Sequence, residues 1–159
     1  MVSRKIIVID DSKVIRMKIK DMLAQNDFDI LEAKDGQEGY EMILNENLDL
    51  IILDFILPKM SGYELYREIQ KQERLRNIPL IIMSGRKEEV VEKLSEPFED
   101  FTFIQKPFDE KRLAEAISGA IDKNKTQALS PTLQELIIRV DQLQLEIDAV
   151  KQQLNKLIN

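Results

Sequence analysis

Four aliphatic runs in this sequence stop abruptly on a residue that can do chemistry. Ile6-Ile7-Val8-Ile9 leads into Asp10-Asp11, Ile51-Ile52-Leu53 into Asp54, Ile81-Ile82-Met83 into Ser84-Gly85, and Phe103-Ile104-Gln105 into Lys106-Pro107-Phe108. An ionised Asp surrounded by hydrocarbon is costly unless it is paired or bound to a metal. If the runs are neighbouring parallel strands, their ends gather at one edge of a sheet, and Asp10, Asp11 and Asp54 meet there. Two like charges at 4 Å repel by about 4 kcal/mol at an effective dielectric of 20. A cation must join them if all stay ionised. Oxygen-only ligation selects a hard ion, with Mg²⁺ retaining several waters as the expected one. Carboxylates, a dication, the Ser84 hydroxyl and the Lys106 amine together suit a phosphoryl group: metal and ammonium neutralise its oxygens and the hydroxyl donates to them. Asp54, at a strand terminus, is then a carboxylate nucleophile for phosphoryl transfer.

The elements that must position these residues are legible as an alternation. Strands are expected at Lys5–Ile9, 29–33, 48–53, 78–83 and 100–105, as short runs of the kind covered on both faces in a parallel sheet. Between them lie helical spacings: Val14, Met17, Ile19, Met22 and Leu23; then Leu65, Ile69 and Gln72; then Leu113, Ala116, Ile117, Ala120 and Ile121. Strand and helix alternate about five times over residues 1–123, which predicts an α/β fold with a parallel sheet and right-handed crossovers. In such a sheet ligands bind at the carboxyl edge, near the switch in strand order.

Composition removes whole classes of function. The 159 residues include no Cys and no His, so thiol nucleophiles, zinc–thiolate sites, imidazole metal centres and His-based hydrolase triads are excluded. A net charge of −6 argues against broad binding to nucleic acid or anionic lipid. There is no apolar run near membrane-spanning length and no signal-peptide pattern, so a cytoplasmic location is expected.

After Asp122 the pattern changes. Residues 124–130 are polar and read as a linker. Ser130-Pro131 then forms a helix start, and Thr132-Leu133-Gln134-Glu135 matches a capping box. From there Leu133, Leu136, Val140, Leu143, Ile147, Val150, Leu154 and Leu157 follow at spacings of 3, 4, 3, 4, 3, 4, 3. That a/d repeat over residues 131–159 predicts a coiled coil about 40 Å long. Val140 and Ile147 at a, opposite mostly Leu at d, favour a parallel homodimer, with Glu146 at g able to reach Lys151 at e of a partner. Ile137 and Ile158 at e widen the stripe, so trimeric and antiparallel arrangements stay open.

Taken together, Asp10-Asp11, Leu53-Asp54 with Leu57-Pro58 and Ser61-Gly62, Met83-Ser84-Gly85 and Lys106-Pro107-Phe108 resemble the receiver domain of two-component response regulators, chemotaxis type, over roughly residues 3–123. The resemblance implies a flavodoxin-like doubly wound five-stranded sheet of order 2-1-3-4-5, a topology for which a member of this family is a standard illustration. It implies Asp54 as phosphoacceptor, Asp10 and Asp11 as Mg²⁺ ligands with the Ile56 carbonyl, and Ser84 and Lys106 contacting the phosphoryl group. Phe103 takes the place of the switch aromatic, and the Lys106-Pro107 bond is expected cis. Ile56 and Arg86 occupy the positions that flank the phosphoryl group. An apolar Ile56 cannot orient an attacking water, so self-dephosphorylation is expected to be slow. The same Ile56 argues against a phosphohydrolase, which needs an acid there.

The expected function is that of a non-enzymatic signalling module. A histidine kinase or phosphotransfer protein is the donor, and a downstream protein is the target, with no nucleic-acid or membrane partner. The alternative is the front part of a longer regulator, its helix leading to an enzymatic output domain.

Overall fold

A computed structural model describes the backbone of residues 3–127 and 131–158, and the side chains of 3–123 and 136–158. Two compact units divide between Gln127 and Ala128. The first alternates β1 (Arg4–Ile9), α1 (Lys13–Met22), β2 (Phe28–Ala33), α2 (Gly36–Asn45), β3 (Leu50–Asp54), α3 (Gly62–Gln70), α4 (Glu73–Arg76), β4 (Leu80–Ser84), α5 (Lys87–Lys93), β5 (Thr102–Gln105) and α6 (Glu110–Gln127). All pairings are parallel and the strand order is β2-β1-β3-β4-β5, as expected. The second unit contains one long helix, α7 (Pro131–Ile158). Among the described residues no helix is long and apolar enough to cross a membrane.

The continuous aliphatic runs are explained by burial on both faces of the sheet. Ile7, Ile9, Ile51 and Leu53 face one layer with Ile43 of α2, Leu65 and Ile69 of α3 and Val90 of α5. Ile6, Val8, Ile52, Ile81 and Met83 face the other, with Ile19 of α1 and Leu113, Ala116 and Ile117 of α6. Every residue of β3 and β4 is buried. Alternate side chains of one strand thus serve two cores, and the central strands are fixed in register from both sides.

Three strands begin later than their apolar runs suggest, each for a local reason. Asp49, ahead of β3, spends its carboxylate on the backbone N–H of Lys5 (2.8 Å). Pro79, ahead of β4, has no N–H for the ladder, though its carbonyl still accepts from Ile51. Asp100, ahead of β5, accepts from the Tyr66 hydroxyl at 3.0 Å. At the other end α6 runs on to Gln127, so the first four residues of the expected 124–130 linker are helical; 128–130, with the Ser130 cap, lie outside the described residues. The side chains of the capping box at 132–135 and of Leu133 also lie outside them.

Two helix starts are pressed against the loop that follows β3. A Cβ on Gly62 would overlap the Asp54 carbonyl oxygen and sit 2.6 Å from the Phe55 Cα, and one on Gly36 would overlap the Met60 carbonyl. Ser61 caps α3 in a reciprocal box with Glu64, and the Gly62 N–H donates to the Phe55 carbonyl at 2.9 Å. Gly62→Ala is expected to destabilise the domain by about 3 kcal/mol, since backbone on both sides cannot yield. Gly85→Ala, where a Cβ meets nothing within 4 Å, is expected to change stability by less than about 0.5 kcal/mol. Urea midpoints of the two variants check the contrast.

Candidate functional site

The carboxyl edge of the sheet brings the predicted groups together. Each strand delivers its residue by length: β1 ends one residue before Asp10, β3 ends on Asp54, β4 ends on Ser84, and β5 ends one residue before Lys106. One oxygen each from Asp10, Asp11 and Asp54 lie within 4.8 Å of one another. Asp10 is fully buried and Asp54 is 7% exposed, whereas Asp11 is exposed. The donor set is all carboxylate, three negative charges facing one space, and so fits a hard divalent ion such as Mg²⁺.

The cation found among these acids is Lys106. Its Nζ donates to Asp10 Oδ2 at 2.7 Å and lies 3.3 Å from Asp54 Oδ2. The second oxygen of Asp10 accepts the Ser12 N–H at 2.9 Å. The electrostatics follow from this crowding. Burial, and then the charge of Asp10, push the Asp54 carboxyl up to about 6, against the pull of Lys106 and of the Ile56 N–H. Burial works against the Lys106 charge, but the bonds and charges of Asp10 and Asp54 outweigh it and hold the ammonium above the usual lysine value.

Other predicted residues are at the edge with orientations of their own. Ser84 is buried, and its Oγ closes a tight local turn: it accepts the Arg86 N–H at 3.1 Å and donates to the Arg86 carbonyl at 3.0 Å. The Ser84 carbonyl accepts from the Lys106 N–H at 2.9 Å, so the two predicted residues are joined by a backbone hydrogen bond. Ile56 is 59% exposed, an apolar side chain beside an acidic cluster. Phe103 is half-buried, with its ring 6.1 Å from that of Phe98. The Lys106–Pro107 peptide is cis.

Contacts around Asp10 and the neighbouring loop are not apparent from strand-end motifs. The Arg16 guanidinium, one turn into α1, donates to the Asp10 carbonyl at 2.6 Å and to Glu32 of β2 at 3.1 Å. Buried Asp35 caps α2 and lies 3.5 Å from Lys59, which takes a left-handed φ of 65° in the loop after β3. A usable signal for Arg16 is its place four residues after the helix cap Ser12, on the turn that faces back toward the strand end.

Ionised Asp54 costs stability in the metal-free fold. Its folded value of about 6 lies above the ordinary 3.8, so the penalty is absent below pH 4, where the group is protonated in both states. It grows as pH rises and is fully present above pH 6. Its size is about 2–3 kcal/mol at roughly 1.4 kcal/mol per unit. In chelator-treated buffer Asp54→Asn is therefore expected to raise the thermal midpoint by several degrees near neutral pH, and to lose that advantage as pH falls toward 4. Thermal scans across pH check the sign.

Comparison with known proteins agrees with this geometry. The chain is 30% identical over 121 residues to the chemotaxis protein CheY of Bacillus subtilis, covering 76% of this chain and 99% of that one. It is 28% identical to YcbL of the same organism, an uncharacterized transcriptional regulatory protein, of whose length it spans 62%. The crystal structure of a response regulator receiver domain protein from Clostridium thermocellum superposes with a TM-score of 0.67 at 30% identity, covering 78% of this chain and 98% of that one. Residues 6–118 match the response regulator receiver domain family, and the chain belongs to that family: a signalling module rather than an enzyme, phosphorylated on an aspartate at the Asp10, Asp11 and Asp54 cluster.

Proposed function

We propose that the chain is a response regulator that takes its phosphoryl group on Asp54 from a histidine kinase or phosphotransfer protein in the cytoplasm, and signals by protein contacts as a dimer. The observation that carries the first half is the meeting of Asp54, Asp10 and the Lys106 ammonium in one buried cluster. An Asp54 oxygen attacks phosphorus, a P–O bond forms, and the P–N bond of the donor phosphohistidine breaks, returning its electron pair to the imidazole. The donor histidine lies outside these 159 residues, which include none. Mg²⁺, held by Asp10, Asp11, Asp54 and the Ile56 carbonyl, would supply neutralisation of the phosphoryl oxygens.

The chain's own residues account for the response. Lys106 shifts its ammonium from Asp10 toward the new charge of roughly −1.5 to −2. The Ser84 hydroxyl leaves its turn with Arg86 to donate to a phosphoryl oxygen. Phe103, half-buried beforehand, turns into the space that the Ser84 loop vacates. This is a shift between two populated states, biased by charge.

The second half of the proposal is supported by α7. Its d and a residues Leu136, Val140, Leu143, Ile147, Val150, Leu154 and Leu157 are each 45–83% exposed. Burying such side chains is worth about 1.5–3 kcal/mol each before entropy is subtracted. A parallel two-stranded coil covers them with a second copy and brings Glu146 to the partner helix's e position. A second reading, with α7 as the signalling helix of a longer regulator, is favoured by the chain spanning only 62% of YcbL. It keeps the same phosphorylation chemistry and the same seam.

With a small acyl phosphate and Mg²⁺, intact mass is expected to show one added phosphoryl group on the native chain and none on Asp54→Asn; equal labelling of both removes Asp54 as acceptor. The label is expected to decay slowly, and Ile56→Gln, which can orient a water, to shorten its lifetime by roughly tenfold. Sedimentation is expected to give a dimer that Val140→Lys with Ile147→Lys reduces to a monomer, while labelling persists. A native monomer at micromolar concentration overturns the coiled coil alone.

A further inference from the structure

We infer that Arg16, oriented by Glu32, is a positioning residue that sets the Asp10–Asp11 peptide and thereby holds Asp11 in place for the metal. The inference rests on the metal assignment above, and goes beyond it in naming what fixes the least restrained ligand.

The three carboxylates are not restrained alike. Asp10 is gripped at both oxygens, by the Ser12 N–H and by Lys106. Asp54 is buried against Lys106 and the Ile56 N–H. Asp11 is exposed, and among the described residues its carboxylate makes no hydrogen bond or ion pair. Its position is therefore set by backbone alone. A trans peptide is planar, so pinning one carbonyl oxygen fixes the plane and the direction in which the next Cα leaves it.

Arg16 supplies that pin. Its Nη1 donates to the Asp10 carbonyl at 2.6 Å, the strongly coupled distance of a charged donor. On the other side of the same peptide chain, the Asp10 N–H donates to the Ala33 carbonyl at 3.1 Å, continuing the β1–β2 ladder one residue past β1. The Asp10 backbone is thus held at both its donor and its acceptor. Arg16 itself has little freedom: its side chain is 13% exposed, and its Nε donates to Glu32 Oε1 at 3.1 Å. Glu32 is in turn held at its other oxygen by Lys20 at 3.2 Å. Carbonyl, guanidinium, carboxylate and ammonium form one row from the metal ligands to the surface. Groups that orient metal ligands from behind change affinity by about 10–100-fold when removed.

Calorimetric titration with Mg²⁺ of the full chain, with Arg16→Met and Glu32→Gln, tests this. Arg16→Met is expected to weaken Mg²⁺ binding by roughly tenfold, and Glu32→Gln by a smaller factor. The acyl phosphate labelling rate is expected to need proportionally more Mg²⁺ but to reach nearly the native plateau, a split that general loss of fold does not produce. Thermal unfolding with chelator separates the two effects, and Glu32→Gln serves if Arg16→Met does not fold. Native affinity in a folded variant overturns the positioning role alone. Absence of Mg²⁺ binding by the native chain overturns it together with the metal assignment, whereas failure of Asp54 labelling with intact Mg²⁺ binding leaves the positioning role standing and removes only the phosphoacceptor.

Discussion

The arrangement turns on a charge imbalance that the fold imposes upon itself. Parallel strands β1 and β3 deliver Asp10, Asp11 and Asp54 to one edge, where an oxygen of each lies within 4.8 Å of the others. Repulsion at such distances amounts to several kcal/mol at interior dielectric. Lys106 offsets part of it, from the far strand β5, by standing between two of the acids. One ammonium cannot balance three carboxylates, and the remaining deficit positions the edge to coordinate a dication. Burial, and then the charge of Asp10, push the Asp54 carboxyl up to about 6. A domain built only for stability would have no reason to gather these groups.

Holding the acids together places demands on the scaffold. The central strands are buried on both faces, so their ends are located by two independent cores rather than one. The loop after β3 is held close by the helix starts at Gly36 and Gly62, where any side chain would strike backbone. Asp35 and Lys59 pair across the gap between those starts. The loop is thus fixed from several directions while the Ile56 side chain is left in solvent beside the acidic cluster.

Much of this is legible in the sequence. Strand ends at or one residue before Asp10, Asp54 and Ser84 are visible because an aliphatic run covered on both faces has no alternation to blur its boundary. Strand starts are less visible, since Asp49 and Asp100 are diverted by bonds to distant residues and Pro79 has no N–H for the ladder. Helix α2 gave little signal: two of its ten residues are Gly. It is secured by the Asp35 cap and by close packing of Gly39 on Ile9. The types of the site residues could be read, but their partners could not. That Ser84 bonds to its own loop, that Lys106 is closer to Asp10 than to Asp54, and that Arg16 grips a carbonyl all depend on side-chain directions set by tertiary packing.

Those directions decide what kind of switch the edge can be. Unmodified, Lys106 is committed to Asp10 at 2.7 Å and stands 3.3 Å from Asp54. In the proposed scheme a phosphoryl group on Asp54 makes that side the more negative, and the preference reverses. The Lys106 backbone N–H is bonded to the Ser84 carbonyl, and β5 runs directly back from it to Phe103, so a backbone displacement at one strand end is felt at the other. Ser84 is in turn free to leave only by giving up both bonds to Arg86. In that scheme two discrete sets of bonds compete for the same few groups, and intermediate positions satisfy neither. A small change in charge at one carboxylate can then select between whole arrangements of β4, β5 and the loops that follow them, rather than bend one arrangement gradually.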